Sequence, residues 1–200
     1  MRVLVTGFEP FGKDRLNPSE VIARNLPRMV GGAHVLTMVL PVVYGASLRM
    51  LLRRVALERP DAVLCMGLAG GRAKLSFETR AVNLNDARIP DNDGRRPRGE
   101  PIHEGGPAGL PPTLPLDDIT TALRAAGLPV ERSPSAGTFL CNHVFYGLVD
   151  HLHANDPSVM GGFVHVPWIR EQQAAHPGSP TLALDTIMRG VCRAIAVLDS

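Results

Sequence analysis

The chain has 200 residues, 44% hydrophobic and 20% charged, with a formal net charge of +2. That suffices for one core without staples and falls short of the clustered cations that nucleic-acid binding needs; the densest basic run, Arg95-Arg96-Pro97-Arg98, is blunted by Asp93 and Glu100. Three cysteines without paired spacing exclude a disulfide framework, and no apolar run reaches membrane-spanning length.

The N-terminal apolar run ends before Glu9 and Pro10. It is too short for a signal sequence and predicts a buried strand over 2–6, so a cytoplasmic protein with reduced thiols is expected. Asn17-Pro18-Ser19-Glu20 carries a helix start, with a capping side chain and then proline at the first helical position. A strand is expected over 34–43, a helix over 46–58, and a strand over 61–67 leading into the Ala69-Gly70-Gly71 turn. Residues 74–84 read as extended, 116–126 as a helix stopped by Gly127, and Val130 as the start of another strand. A helix over 141–153, a strand over 161–166 and a helix over 181–198 complete the pattern. The alternation predicts a single α/β domain over 1–200, its sheet covered by helices on both faces. One segment departs from it: half of the 22 positions from Gly94 to Pro115 are Gly or Pro. It reads as a disordered surface excursion or as a flap over a cleft.

Cys65 lies inside an apolar strand and Cys192 on the apolar stripe of the last helix, so both read as packing residues. Cys141 stands where the run Gly137-Thr138-Phe139-Leu140 turns into a helix. Unpaired N–H groups at a helix start favour an anion and draw a thiol pKa from about 8.5 to about 3.5–7.5. His165, among Phe163, Val164, Val166 and Trp168, is either a satisfied core histidine or the base for that thiol. The carboxylate to orient it is Glu78 or Asp91, and spacing does not choose between them. Arg88, with the Cys141 N–H, is a candidate for holding an oxyanion.

No metal site is expected: His151 and His153 fall about 200° apart around their helix, and no His-x-x-x-His or Cys-x-x-Cys pair occurs. Gly7-Phe8-Glu9-Pro10-Phe11-Gly12 follows a strand as a nucleotide loop does, but Glu9 repels phosphate and Pro10 lacks an N–H. Gly67-Leu68-Ala69-Gly70-Gly71 lacks the Gly-Lys-Ser/Thr ending. Phe8 and Phe11 read instead as walls for a small uncharged ligand, or as anchors of their loop to the core.

Several long motifs together point to one family. They are Val5-Thr6-Gly7-Phe8-Glu9-Pro10-Phe11-Gly12 with Asn17-Pro18-Ser19, then Gly67-Leu68-Ala69-Gly70-Gly71-Arg72 and Ala81-Val82-Asn83-Leu84-Asn85-Asp86-Ala87-Arg88-Ile89-Pro90-Asp91-Asn92. Gly137-Thr138-Phe139-Leu140-Cys141-Asn142-His143 and Gly161-Gly162-Phe163-Val164-His165-Val166-Pro167 follow in order. The chain resembles the type I pyroglutamyl-peptidases, which are cysteine exopeptidases. The resemblance implies an open α/β/α sandwich around a mixed, mostly parallel sheet. It implies removal of an N-terminal pyroglutamyl residue from peptides by a Cys-His-Glu triad through a thioester, without cofactor. The nucleophile then falls on Cys141, the base on His165, the carboxylate on Glu78, and Arg88 near the reacting carbonyl. Phe8 and Phe11 match the rings that sandwich the lactam, and Asn17, Leu68 and Phe139 join them as substrate-binding positions. A homotetramer is implied as well, with neither nucleic acid nor membrane as partner. Two positions depart from the family pattern: Leu68 stands where Gln is frequent, and Thr79-Arg80 follow Glu78 where Arg-Val is frequent.

Overall fold

The run Val3-Leu4-Val5-Thr6 is wholly buried, as a strand covered on both faces must be. It forms β1 (Arg2–Phe8) in the computed structural model, which describes residues 1–199. Then come α1 (Pro18–Asn25), β2 (Met29–Val30), β3 (Ala33–Leu40), α2 (Ala46–Glu58), β4 (Ala62–Leu68), β5 (Leu75–Glu78) and β6 (Ala81–Val82). The second half supplies β7 (Gly109–Leu110), α3 (Leu116–Ala125), β8 (Val130–Ser133), α4 (Leu140–Asn155), β9 (Met160–Val166), β10 (Trp168–Ile169), β11 (Thr181–Leu182) and α5 (Leu184–Leu198).

Seven strands form one sheet in the order β2-β3-β1-β4-β9-β5-β8. Pairing is parallel from β3 through β1 and β4 to β9, and again between β5 and β8. It is antiparallel between β2 and β3 and between β9 and β5. Alternate residues feed the two faces. Val3, Val5, Leu64, Met66 and Val164 pack with Ile22 of α1, Ile119 of α3 and Val191 of α5. Leu4, Val63, Cys65 and Phe163 pack with Leu51 of α2 and Val144 and Leu148 of α4. The architecture is the expected open α/β/α sandwich.

Three sequence expectations need correction. The strand expected to reach residue 43 stops at Leu40, because Pro41 has no N–H for the ladder. The final helix begins at Leu184; Thr181 and Leu182 instead pair in parallel with Trp168 and Ile169. The segment 94–115 is not an unanchored excursion, and none of its residues lines the slot beside Cys141. Asn83 Oδ1 accepts from the N–H groups of Ile102 and His103, and β7 pairs with β6. Tyr146 Oη donates to the Pro107 carbonyl at 2.8 Å, and Leu114 enters the core.

Close helix–sheet approach explains one glycine of the first motif. A Cβ on Gly7 would lie 2.1 Å from the Ser19 carbonyl oxygen, so α1 rests directly on the end of β1. Gly7→Ala is expected to destabilise the fold by about 1–3 kcal/mol or more through overpacking, read as a lower urea midpoint at unchanged m-value.

Candidate active site

Strand pairing brings two of the sequence-predicted residues together on the sheet. Gly67 on β4 is the register partner of His165 on β9, and His165 is also paired with Ser76 on β5. Two residues beyond Ser76, on the same face, stands Glu78. His165 Nδ1 donates to Glu78 Oε1 at 2.7 Å. A carboxylate only accepts here, so the proton sits on Nδ1 and Nε2 keeps a lone pair. Glu78 is fully buried and His165 nearly so. Asp91, the competing carboxylate, is committed elsewhere: Oδ2 accepts from Tyr44 N–H, and Oδ1 accepts from Asp93 and Arg95 N–H.

The surroundings of Glu78 differ from what its neighbours in sequence suggested. Arg72 Nη1 donates to Glu78 Oε1 at 2.6 Å. Thr79 binds the Ser133 carbonyl through both its N–H and its hydroxyl, and the Arg80 guanidinium lies against Gly109. The cation at Glu78 therefore comes from the glycine-rich turn after β4, and the Thr79-Arg80 departure leaves the carboxylate paired.

Cys141 arrives from above, as the second residue of α4. Phe139, at the capping position before the helix, supplies no side-chain cap, which leaves first-turn N–H groups free for an anion. A Cβ built on Gly67 would lie 2.6 Å from Cys141 Sγ and 2.9 Å from Phe163 Cζ. The sulfur thus fills the space that a side chain on Gly67 would take, on the strand beside His165. Gly67 has an ordinary φ, so the demand for glycine here is one of space alone.

The expected acidic thiol is not what the environment produces. Burial pushes the Cys141 thiol up to about 12, and Glu78 pushes the same way. Arg72 and the residue's own N–H pull it down by less. The helix start is real, but desolvation outweighs it. Burial also lowers His165, against the hydrogen bond and charge of Glu78. Burial thus works against charge on both the thiol and the imidazole.

Phe8, Phe11, Asn17, Leu68 and Phe139 border one narrow slot with Cys141, with about 20 Å³ of free volume. Phe8 is both buried core and slot wall, while Phe11 packs against Phe139, ring centres 6.2 Å apart. Asn17 spends its amide on the fold: Oδ1 accepts from Ser19 N–H and Ser19 hydroxyl, and Nδ2 donates to the Glu9 carbonyl. Glu9 Oε1 accepts from Val42 N–H and Asn92 Nδ2, fixing the same loop. Arg88 borders a neighbouring pocket of about 300 Å³ that shares Phe11 and Phe139 with the slot. It makes no hydrogen bond or ion pair among the described residues. Cys65 is fully buried and Cys192 packs against the core on α5.

Two residues after Cys141 escaped the sequence reading. Asn142, fully buried, accepts from Val82 N–H and donates to the Val82 and Leu84 carbonyls at 2.9–3.0 Å. His143 Nδ1 donates to Asn85 Oδ1, and Nε2 accepts from Gly45 N–H. Both stitch α4 to the segment after Glu78. The available signal was a pair of polar residues inside an otherwise apolar helix.

The class is an α/β/α sandwich that gathers a thiol, an imidazole and a carboxylate on one face of its central sheet. Comparison with known proteins gives the family. Residues 1–199 match the family described as pyroglutamyl peptidase. A pyrrolidone-carboxylate peptidase of Gloeobacter violaceus is 47% identical over 100% of this chain and 98% of its own. One from Erwinia tasmaniensis is 44% identical over 98% and 92%. The crystal structure of pyroglutamyl peptidase I from Bacillus amyloliquefaciens superposes with a TM-score of 0.94 at 41% identity, covering 98% of this chain and 95% of that one. A mutant pyrrolidone carboxyl peptidase from Pyrococcus furiosus gives 0.96 at 41% identity, over 100% and 99%. The chain belongs to the pyroglutamyl peptidase family.

Two outcomes follow from this geometry. Gly67→Ala must displace Cys141 Sγ, and a misplacement of this kind costs about 10²-fold in turnover; thermal melting beside the kinetics separates this from unfolding. His143 is lowered from 6.5 to about 4, chiefly by burial. Its neutral form is the folded form, so the unfolded chain binds more protons below pH 6.5. Stability is expected to fall between pH 6.5 and 4 by on the order of 3 kcal/mol from this group. Urea titrations should show that slope flattened in His143→Gln.

Proposed function

We propose that the chain removes an N-terminal pyroglutamyl residue from peptides, with Cys141 as nucleophile, His165 as base and Glu78 as its orienting carboxylate. The observation that carries the reading is the 2.7 Å bond from His165 Nδ1 to Glu78, on the strand beside the Cys141 thiol. Because that bond holds the proton on Nδ1, Nε2 is free to take the thiol proton as sulfur attacks the pyroglutamyl carbonyl. The carbonyl electrons move to oxygen, where the free N–H groups of the α4 start, and Arg88 from the neighbouring pocket, stabilise them. Collapse breaks the C–N bond, His165 returns the proton to the leaving amine, and a thioester remains. Water, activated by His165, then releases pyroglutamate and restores the thiol.

The slot suits a flat, uncharged ring. Phe8, Phe11, Leu68 and Phe139 offer apolar walls, and the free volume now holds about one water. A lactam therefore enters by parting Phe11 from Phe139. Leu68 in place of Gln adds apolar surface and leaves ring recognition to backbone groups. A homotetramer belongs to the same reading through the family resemblance, and a cytoplasmic location through three cysteines without paired spacing. Among the described residues, no helix is long and apolar enough to cross a membrane.

The test is release of a fluorophore from a pyroglutamyl amide. The intact chain is expected to cleave it, and Cys141→Ala to abolish turnover; cleavage by the Ala variant would remove Cys141 from the role. Because His165 must be neutral to act and its pKa is lowered, activity should persist below the usual histidine midpoint of about 6.5. Iodoacetamide labelling of Cys141 should climb steadily into alkaline pH. A labelling plateau near neutrality would mean a preformed thiolate instead.

A further inference from the structure

Arg72 closes the Gly67–Arg72 motif, whose glycines made it look like a failed nucleotide loop. Its guanidinium bridges two parts of the site. Nη1 donates to Glu78 Oε1 at 2.6 Å, and Nη2 donates to the Ser135 carbonyl at 3.0 Å. Ser135 lies in the segment that leads into α4, six residues before Cys141. That segment also carries local bonds, Ser133 Oγ to the Ser135 carbonyl and Gly137 N–H to Ser135 Oγ, and two longer ties, from Thr79 to the Ser133 carbonyl and from the Thr138 hydroxyl to the Asp86 carbonyl; the Arg72 fork is the one that engages Glu78 itself. Glu78 has a second reason to need the arginine. Oε1 accepts from both His165 and Arg72, whereas Oε2 is buried with no partner among the described residues. With His165 alone, the carboxylate could turn about its last bond and offer either oxygen.

We propose that Arg72 is a positioning residue of this site, clamping Glu78 in the orientation that His165 requires while tying the strand of the carboxylate to the loop that carries Cys141. The inference rests on the pyroglutamyl-peptidase reading only for its kinetic arm. A rigid fork serves here where a point charge does not, because the two acceptors lie on different elements and each takes a separate N–H. The clamp also has an electrostatic side. Glu78 and Arg72 are the charged groups facing His165, and Glu78, Arg72, Cys65 and Tyr44 the titratable ones facing Cys141. Arg72 lowers both His165 and Cys141, so its removal moves both upward.

The experiment compares Arg72→Met and Arg72→Lys with the unaltered chain, each first shown folded by circular dichroism and thermal melting. Expected is a fall in kcat of about 10²-fold for Arg72→Met with little change in KM. Arg72→Lys should recover part of it through the bond to Glu78. The acid limb of the rate profile should move to higher pH in Arg72→Met, as should iodoacetamide labelling of Cys141. A folded Arg72→Met with undiminished kcat would overturn the proposal. So would a loss in kcat with an unmoved labelling profile and no recovery in Arg72→Lys, which would reduce Arg72 to a generic packing residue. Labelling needs no substrate. Failure of the unaltered chain to cleave the pyroglutamyl amide would therefore sink the functional reading, while the labelling shift still judges Arg72.

Discussion

His165 and Gly67 face each other across β9 and β4, and both look toward the layer of α2 and α4. A slip of one residue in that pairing would turn His165 into the opposite layer, among Val5, Met66 and Ile195. The register is held by its apolar alternation: Val164 and Val166 must enter one core and Phe163 the other. Everything at the site is built on it. The antiparallel neighbour β5 then delivers Glu78 to the imidazole, and the missing side chain at Gly67 admits the sulfur from α4. An antiparallel strand beside a parallel run is thus a working part of the architecture, since it lets a strand end meet the carboxyl end of β9 from the other direction.

Two influences compete at Cys141. The uncapped helix start and Arg72 favour a thiolate, while burial against Phe163 and the nearby Glu78 oppose it, and the opposition wins. Under the proposed reaction, such a site uses proton transfer during attack instead of a standing ion pair. That raises the importance of how His165 is held, because the base must already have its lone pair aimed when substrate arrives.

Much of this was legible in the chain. Helix and strand placements followed from apolar periodicity and from Asn17-Pro18, and the family motifs named Cys141, His165 and Glu78. Other features depend on packing that no local pattern encodes. Spacing could not choose Glu78 over Asp91, because the choice is made by β5 lying antiparallel to β9. A helix start that favours the thiolate is visible in sequence, whereas the desolvation above Gly67 that opposes it is not. Arg72 looked like the tail of a turn, and its partners Glu78 and Ser135 are 6 and 63 residues away. β10 and β11 pair across an irregular loop, which left Thr181 to be read as part of the helix that follows it.

The depth of the sulfur has one more consequence. Peroxide attacks the thiolate, and a thiol held at about 12 is almost wholly protonated at neutral pH. The crowding of Cys141 above Gly67 therefore works against its conversion to sulfenic acid and the irreversible states beyond it.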